Sequence, residues 1–380
     1  MADDTAVATD SVPTARTCGT MPVHERLLRT SPEYATARAA SETAAWAAAR
    51  TARASARVGV TVIPIVVHVV WNTSVQNLSA AQIASQITTL NQDYRKTNTD
   101  LASTPSVFKP LCADARIEFE LAKTDPQGAA TDGITRTQTT RTSFNDDDSV
   151  KSASTGGHDA WPADRYLNLW VCPLSGGLLG YAQFPGGSAA TDGVVIRSSA
   201  FGNQGTAAAP FDLGRTATHE VGHWLNLRHI WGDDGNGCAG DDFVSDTPNC
   251  AGSNPGTPSF PHVTCNNGPN GDLFMNYMDY TDDKAMFMFT AGQVARMQTC
   301  LDVDRTSIGR QQTTTVTVPD VVGLTRTIAN KAIKQAGLVA QYKGATNKAN
   351  TRVFSQNPAS GQQVAAGTKV ACTLRVGTQP

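Results

Sequence analysis

The 380 residues carry 31 lysines and arginines against 33 aspartates and glutamates, a formal net charge of −2 that gives no electrostatic case for nucleic acid. Hydrophobic residues make up 40% and charged residues 17%, the composition of a folded globular chain with room for two or three units. No apolar run approaches the ~18 residues of a membrane span, and the acidic start MADDTAVATDSVP lacks the basic-then-apolar pattern of a secretory signal, so an export signal is either already removed or absent.

Residues 1–57, rich in Ala, Thr and Arg, read as an appendage with a helical stretch around Ser31 to Ala56. From Val60 the run TVIPIVVHVVW predicts a buried strand. SAAQIASQITTLNQDYRK predicts a helix capped by Ser79, with Ile83, Ile87, Leu90 and Tyr94 on one face. Further strands are expected at Arg116 to Leu121, Tyr166 to Val171, Leu178 to Phe184 and Gly193 to Arg197, an order that suggests an α+β fold with helices packed on a mixed sheet. Asp212 is placed to cap a helix from about Leu213 to Leu225. The stretch Gly232 to Asp272, rich in Gly, Asp, Asn and Pro, needs a disulfide or a metal to order it. A last helix begins near Thr290, where Thr290 and Gln293 fit a capping box. Beyond Asp304 the composition shifts, and residues 305–315 read as a linker into a separate module, 316–380.

The eight cysteines form no CxxC pair, which disfavours a zinc ribbon. Cys238, Cys250, Cys265 and Cys300 crowd one loop-rich stretch, a distribution suited to disulfides in an oxidising compartment and so to a secreted protein.

The chemistry concentrates in HEVGHWLNLRH. His219 and His223, four apart, project from one helical face and can grip one ion. A straight helix would carry His229 away, so the chain must turn after His223, and Asn226 is the residue to accept the left-handed conformation this needs. Three neutral imidazoles leave a fourth position for water, whose pKa zinc lowers to about 7. Glu220 would take that water's proton and pass it to the leaving amine.

HEVGHWLNLRH resembles the extended HExxHxxGxxH motif of the metzincin zinc endopeptidases, and HEVGHWLNLRHIWGD the pappalysin (ulilysin-like) family; the departure is Asn226 in place of glycine. FMNYMDYTDD is similar to the family's methionine turn. The resemblance implies that Met278 lies beneath the zinc and that Tyr280 stabilises the tetrahedral intermediate. It also implies an upper subdomain, 58–226, with a five-stranded mixed sheet and two helices, over an irregular lower subdomain, 227–304. Leu178 to Phe184 would be the edge strand that takes up extended substrate.

The segment TCGTMPVHERLLRTSPEYATAR resembles the family's pro-segment, which implies that Cys18 occupies the open zinc position in a latent form; an idle or disulfide-bonded cysteine is the alternative. Release would need a cut near Arg50, Arg53 or Arg57. Relatives prefer arginine through an acidic group after the methionine turn, and here Asp282 and Asp283 are followed by Lys284, which would weaken or reverse that preference. Asp241, Asp242, Asp246 and Thr247 offer hard oxygens suited to the calcium that relatives bind hereabouts. The resemblance pairs Cys238 with Cys265; Cys250 lacks the family's usual partner, Ala285 standing there, and Cys300 is its candidate substitute. His24, His68, His158 and His262 have no ligand spacing and read as structural or solvent-facing.

In the module, VPDVVGLTRTIANKAIKQAGL predicts a turn and an amphipathic helix with Ile328, Ala332 and Ile333 inward, followed by alternating strands. It resembles a PASTA domain, some of which bind peptidoglycan, and points to a bacterial, secreted or wall-associated protein. Two rivals to a protein-cleaving enzyme are a wall-anchored binding protein that no longer cleaves and a peptidase of peptidoglycan cross-links.

Overall fold

The computed structural model describes residues 12–51, 55–235, 237–312, 315–344, 350–365 and 367–376. They fall into two compact units, the first reaching Arg310 and the second comprising Val58–Val60 with the C-terminal residues from Gln311. The first unit therefore extends into the expected linker. Arg305 explains why: its guanidinium pairs with Asp192 at 2.6 Å and stacks 3.8 Å over the Trp224 ring.

Two helices, α1 (Thr20–Thr30) and α2 (Pro32–Thr51), open the first unit. Strand β1 (Val60–Trp71) pairs in parallel with β2 (Ile117–Leu121) along its first half and with β3 (Ile134–Gln138) along its second. On its other side lies β4 (Leu167–Cys172), then β6 (Val194–Arg197), both parallel, and β5 (Gly180–Ala182) closes the sheet as an antiparallel edge. The path β2-β1-β4-β6-β5 has the expected five strands in a mixed sheet, and β3 is an addition off that path. Its sequence ITRTQ shows no apolar alternation for a sequence reading to detect.

β1 is apolar at nearly every position because both sheet faces are covered. Ile63, Ile65, Val67 and Val69 join the main core with Ile83, Leu90 and Tyr94 of α3 (Ala80–Tyr94), whose first turn is capped by Ser79. His68 lies on the opposite face with Val66 and Val70, bonded to Thr135 Oγ1 and Asn168 Oδ1 at 2.8 and 3.0 Å, and stacks on His158.

Helix α4 (Arg215–Trp224) crosses to the second half of the unit, which ends in α5 (Ala291–Val303) with the expected capping box of Thr290 and Gln293. Asp212 does not cap α4. Asp283, far along the chain, accepts from the Leu213 and Arg215 amides at 2.8 and 3.2 Å. Between α4 and α5 the chain is irregular, and a Cys238–Cys265 disulfide ties it. Cys250 and Cys300 are separate buried thiols, which corrects their pairing: Cys250 lies near Asp279 and Asp272, Cys300 on α5 near Arg305.

In the second unit, Thr351–Asn357 pairs antiparallel with Lys369–Val376, which runs parallel to Val339–Gly344, and helix Arg326–Gln335 packs on them. Ala329 and Ile333, one turn apart, face inward. Ile328, expected inward, is 54% exposed because it falls beside that stripe.

Candidate metal centre

Helix α4 carries His219 and His223 one turn apart and stops at Trp224. Asn226 takes a φ of 72°. Its amide returns to the His223 carbonyl at 2.8 Å and the Leu227 amide to the Gly222 carbonyl at 2.9 Å, the pair of bonds that closes a helix through one left-handed residue. The chain thus reverses and brings His229 back beside the helix.

The three imidazoles converge through their Nε2 atoms, which lie 3.1, 3.1 and 3.2 Å apart. Each opposite nitrogen is fixed as a donor: His219 Nδ1 to the Tyr277 carbonyl, His223 Nδ1 to the Leu227 carbonyl, both at 2.7 Å, and His229 Nδ1 to Asp233 Oδ1 at 2.6 Å. An imidazole that donates from Nδ1 and is neutral presents a bare lone pair at Nε2. Burial and mutual repulsion hold His219 and His223 well below the usual histidine pKa, so they are neutral. Three lone pairs aimed at one point repel unless a cation stands between them. Their spacing is near the roughly 3.3 Å edge of a tetrahedron with ~2.0 Å zinc–nitrogen bonds, and the outer Nδ1 partners are those that orient zinc-binding histidines. The residues fit zinc.

Cys18 Sγ completes the group: with the three histidine nitrogens it forms a set of potential ligand atoms all within 4.8 Å of one another, the one such cluster among the described residues. Residues 17–19 lie along the edge strand where substrate was expected, running parallel to it. The Gly19 amide donates to the Gly180 carbonyl at 2.9 Å, and the Leu179 amide to the Thr17 carbonyl at 3.0 Å.

Glu220 Oε2 receives the Cys18 thiol at 3.3 Å and the Thr20 hydroxyl at 2.9 Å. Burial pushes its carboxyl up to about 7. Tyr280 lies beside the histidines, its ring 4.9 Å from that of His229, 5.8 Å from that of His219 and 4.7 Å from that of Trp231. Met278 is fully buried beneath the histidines, and a Cβ on Gly222 would come within 2.5 Å of its sulfur. Gly222 was not singled out by sequence, although its place between the two helical histidines was the available signal.

Four side chains join this neighbourhood that the sequence left unassigned. Arg16 Nη2 pairs with Asp283 Oδ1 at 2.5 Å, both fully buried, while Lys284 is exposed. Arg38 donates to Asn226 Oδ1 at 2.7 Å, and Arg296 Nε to the Asn226 carbonyl at 2.6 Å, so the turn is gripped from two sides. Glu42 bridges these arginines.

Asp241, Asp242, Asp246 and Thr247 are not gathered around one point. Asp246 accepts from Thr290 Oγ1 and the Gly292 amide at 2.6 and 2.9 Å, at the start of α5. Asp242 holds the Thr247 hydroxyl at 2.8 Å, and Asp241 turns to the Phe243 amide at 2.7 Å. The four-oxygen calcium set is corrected accordingly: separate hydrogen bonds, within the loop for Asp241 and Asp242 and to the start of α5 for Asp246, claim these oxygens.

Known proteins similar to this chain include metalloproteases. The peptidase M43 (pregnancy-associated plasma protein-A) family model matches residues 131–302, and the PASTA domain model residues 316–374. An extracellular metalloprotease of Pyricularia oryzae is 32% identical over 301 residues, 77% of this chain and 90% of that protein. A point mutant of Tannerella forsythia promirolysin superposes with a TM-score of 0.71 at 49% identity, over 77% of this chain and 97% of that one. Mature mirolysin from the same organism, in complex with a cleaved peptide, gives 0.65 at 53% identity over 66% and 96%.

Proposed function

From the premise that the chain belongs to the peptidase M43 (pappalysin) family of metalloendopeptidases, we propose that it is a secreted zinc endopeptidase made as a cysteine-switch zymogen. The observation that carries this reading is the meeting of His219, His223 and His229 Nε2 with Cys18 Sγ in one buried cluster.

His219, His223 and His229 would hold the ion. Zinc bound there supplies a Lewis acid and lowers the pKa of water. Glu220 takes a proton from the attacking water and delivers it to the leaving amine. Tyr280 donates its phenolic hydrogen to the developing oxyanion. Met278 supports the histidine floor, and Asn226 makes the turn that brings in the third imidazole.

Residues 12–51 act as a pro-segment that withholds two things together: Cys18 faces the open ligand position, and Cys18 and Thr20 both donate to Glu220 Oε2. Arg16 fills the place of a substrate arginine on Asp283, which favours an arginine preference; exposed Lys284 leaves it unopposed. The activating cut falls before Arg57. That guanidinium is buried on the carbonyls of Leu301, Arg305 and Ile308 and belongs to the enzyme. Arg50, exposed at the end of α2, is the better site, and Arg53 lies outside the described residues.

Calcium is proposed for the irregular chain between α4 and α5 as a whole, where the Asp242 carboxylate is already held by the Thr247 hydroxyl and the Val244 amide. Melting in calcium and in EGTA should differ by several degrees, and identical curves remove the ion. Peptidoglycan binding is proposed for the PASTA unit alone, as is a bacterial, wall-associated setting. A pull-down on purified peptidoglycan that recovers none of the protein removes it.

The deciding experiment is zinc analysis and casein cleavage by activated wild type and Glu220→Ala. We expect about one zinc in each and cleavage only by the wild type. A zinc-free wild type, or an equally active variant, overturns the assignment. Muropeptide cleavage without casein cleavage would favour a cross-link peptidase instead.

A further inference from the structure

Beyond Phe184, the cleft ends in a cationic corner that the zinc chemistry does not use. The Phe184 ring lies 5.5 Å from that of His223, and the Arg38 guanidinium packs 4.9 Å over its far side. Arg38 reaches Glu42 at 2.5 Å, and Glu42 lies on Arg296 with both carboxylate oxygens, at 2.6 and 2.7 Å. Arg228 and Arg296 stand 4.9 and 5.8 Å over one Phe243 ring. Among the described residues, the buried Arg228 Nε has no hydrogen-bond partner.

Arg38 and Glu42 belong to the proposed pro-segment; Arg228, Arg296 and Phe243 do not. Among the described residues, Arg296 makes no ion pair other than the one with Glu42. When the segment leaves, a guanidinium that is 6% exposed loses its carboxylate, and Arg228 remains beside it. Such a guanidinium, held in place by its Nε bond to the Asn226 carbonyl and donating to both Glu42 oxygens from Nη2, is a preorganised donor for another carboxylate. Burial opposes the charge on Glu42, yet Arg296 and then Arg38 hold its pKa below the usual carboxylate value, so the corner favours an ionised acid.

We infer that Arg296 and Arg228 form an anion subsite in the mature enzyme, which takes an acidic side chain of a peptide substrate where Glu42 lies in the zymogen. The pro-segment then fills the cleft at three points with groups of the right chemistry: Arg16 on Asp283, Cys18 at the metal, and Glu42 on Arg296. An extended peptide advances about 3.3 Å per residue, so the acidic residue falls a few positions from the cleaved bond. The inference rests on the peptidase reading and on departure of the segment.

The test uses the full chain, activated by removal of the pro-segment, on peptides that differ only by Glu or Gln at each of four positions either side of one cleaved bond. The wild type should cleave one Glu peptide about tenfold better than its Gln twin, chiefly through KM, and 0.5 M salt should shrink the ratio. Arg228→Gln and Arg296→Gln should each bring the ratio toward one. Cleavage of the Gln peptides and zinc content report whether each variant is folded; Arg228 is half-buried and without an ion pair among the described residues, so Arg228→Gln is the variant expected to fold if Arg296→Gln does not. Equal cleavage of every Glu and Gln pair overturns the subsite while leaving the peptidase intact, and so does a preference that survives in both variants. Failure to cleave any peptide sinks the peptidase reading, and the subsite with it.

Discussion

Met278 Sδ lies 2.5 Å from where a Cβ on Gly222 would stand, so glycine is what lets the methionine reach up between the two helical histidines. In a helix, Gly→Ala ordinarily gains about 1 kcal/mol, whereas overpacking a filled core loses about 1–3 kcal/mol. Gly222→Ala should therefore lower the melting temperature by a few degrees and reduce zinc occupancy after dialysis. Unchanged melting together with full zinc content would show that Met278 moves aside freely.

Asn226 holds φ at 72°. Asn226→Gly removes the strain of that conformation and should retain zinc and cleavage within a few-fold. Asn226→Val places a β-branched side chain there, at about 1–2 kcal/mol in backbone energy, and displaces His229. We expect zinc affinity to fall at least tenfold, read by competition with a chromogenic chelator; equal affinity in the Gly and Val variants would contradict this account of the turn.

On the proposed zymogen reading, the hold of residues 12–51 is spread over Arg16, Cys18 and the Arg38–Glu42 pair. Removing Arg16 leaves Asp283 buried without its cation, a loss of about 3–5 kcal/mol for a pair of this kind. Arg16→Ala and Cys18→Ala should each make the uncut chain measurably active, and the double variant more so. An uncut Cys18→Ala chain as inert as the wild type would mean that the cysteine does not govern latency.

His24 carries a pH dependence with a definite sign. Burial, then the charges of Arg38 and Arg228, lower its pKa to about 4, against the opposing charges of Glu42 and Asp233. The released segment's histidine titrates near 6.5, so it binds more protons than the docked one between the two values. Docking is thus at full strength above pH 6.5 and weakens as pH falls toward 4, by about 3 kcal/mol in all. Pro-segment dissociation, followed by fluorescence of labelled segment, should steepen with acid in the wild type and less so in His24→Gln. Parallel pH curves would remove His24 from the linkage.

The spacing of HEVGHWLNLRH was enough to locate the candidate ligands, because helical periodicity fixes the first two imidazoles and one left-handed residue fixes the third. Ser79, Thr290 and Gln293 were legible for the same local reason: a cap bonds within its own turn. The β1 run was legible because a strand buried on both faces is apolar throughout. β3 was not, since its strand character comes from pairing with β1 and leaves no mark in ITRTQ.

What the sequence determined by itself was whatever the backbone can satisfy within a few residues: the helix of the HEVGH motif, its end near Leu225, the reversal at Asn226. What only the tertiary structure decided was which distant side chains share a place. Asp283 rather than Asp212 caps α4, the Arg57 guanidinium lies on the Leu301 and Ile308 carbonyls, Cys250 and Cys300 remain apart, and Glu42 lies on Arg296. Those choices depend on burial, where a charge or a donor must find its partner across the fold, and chain order does not record that neighbour.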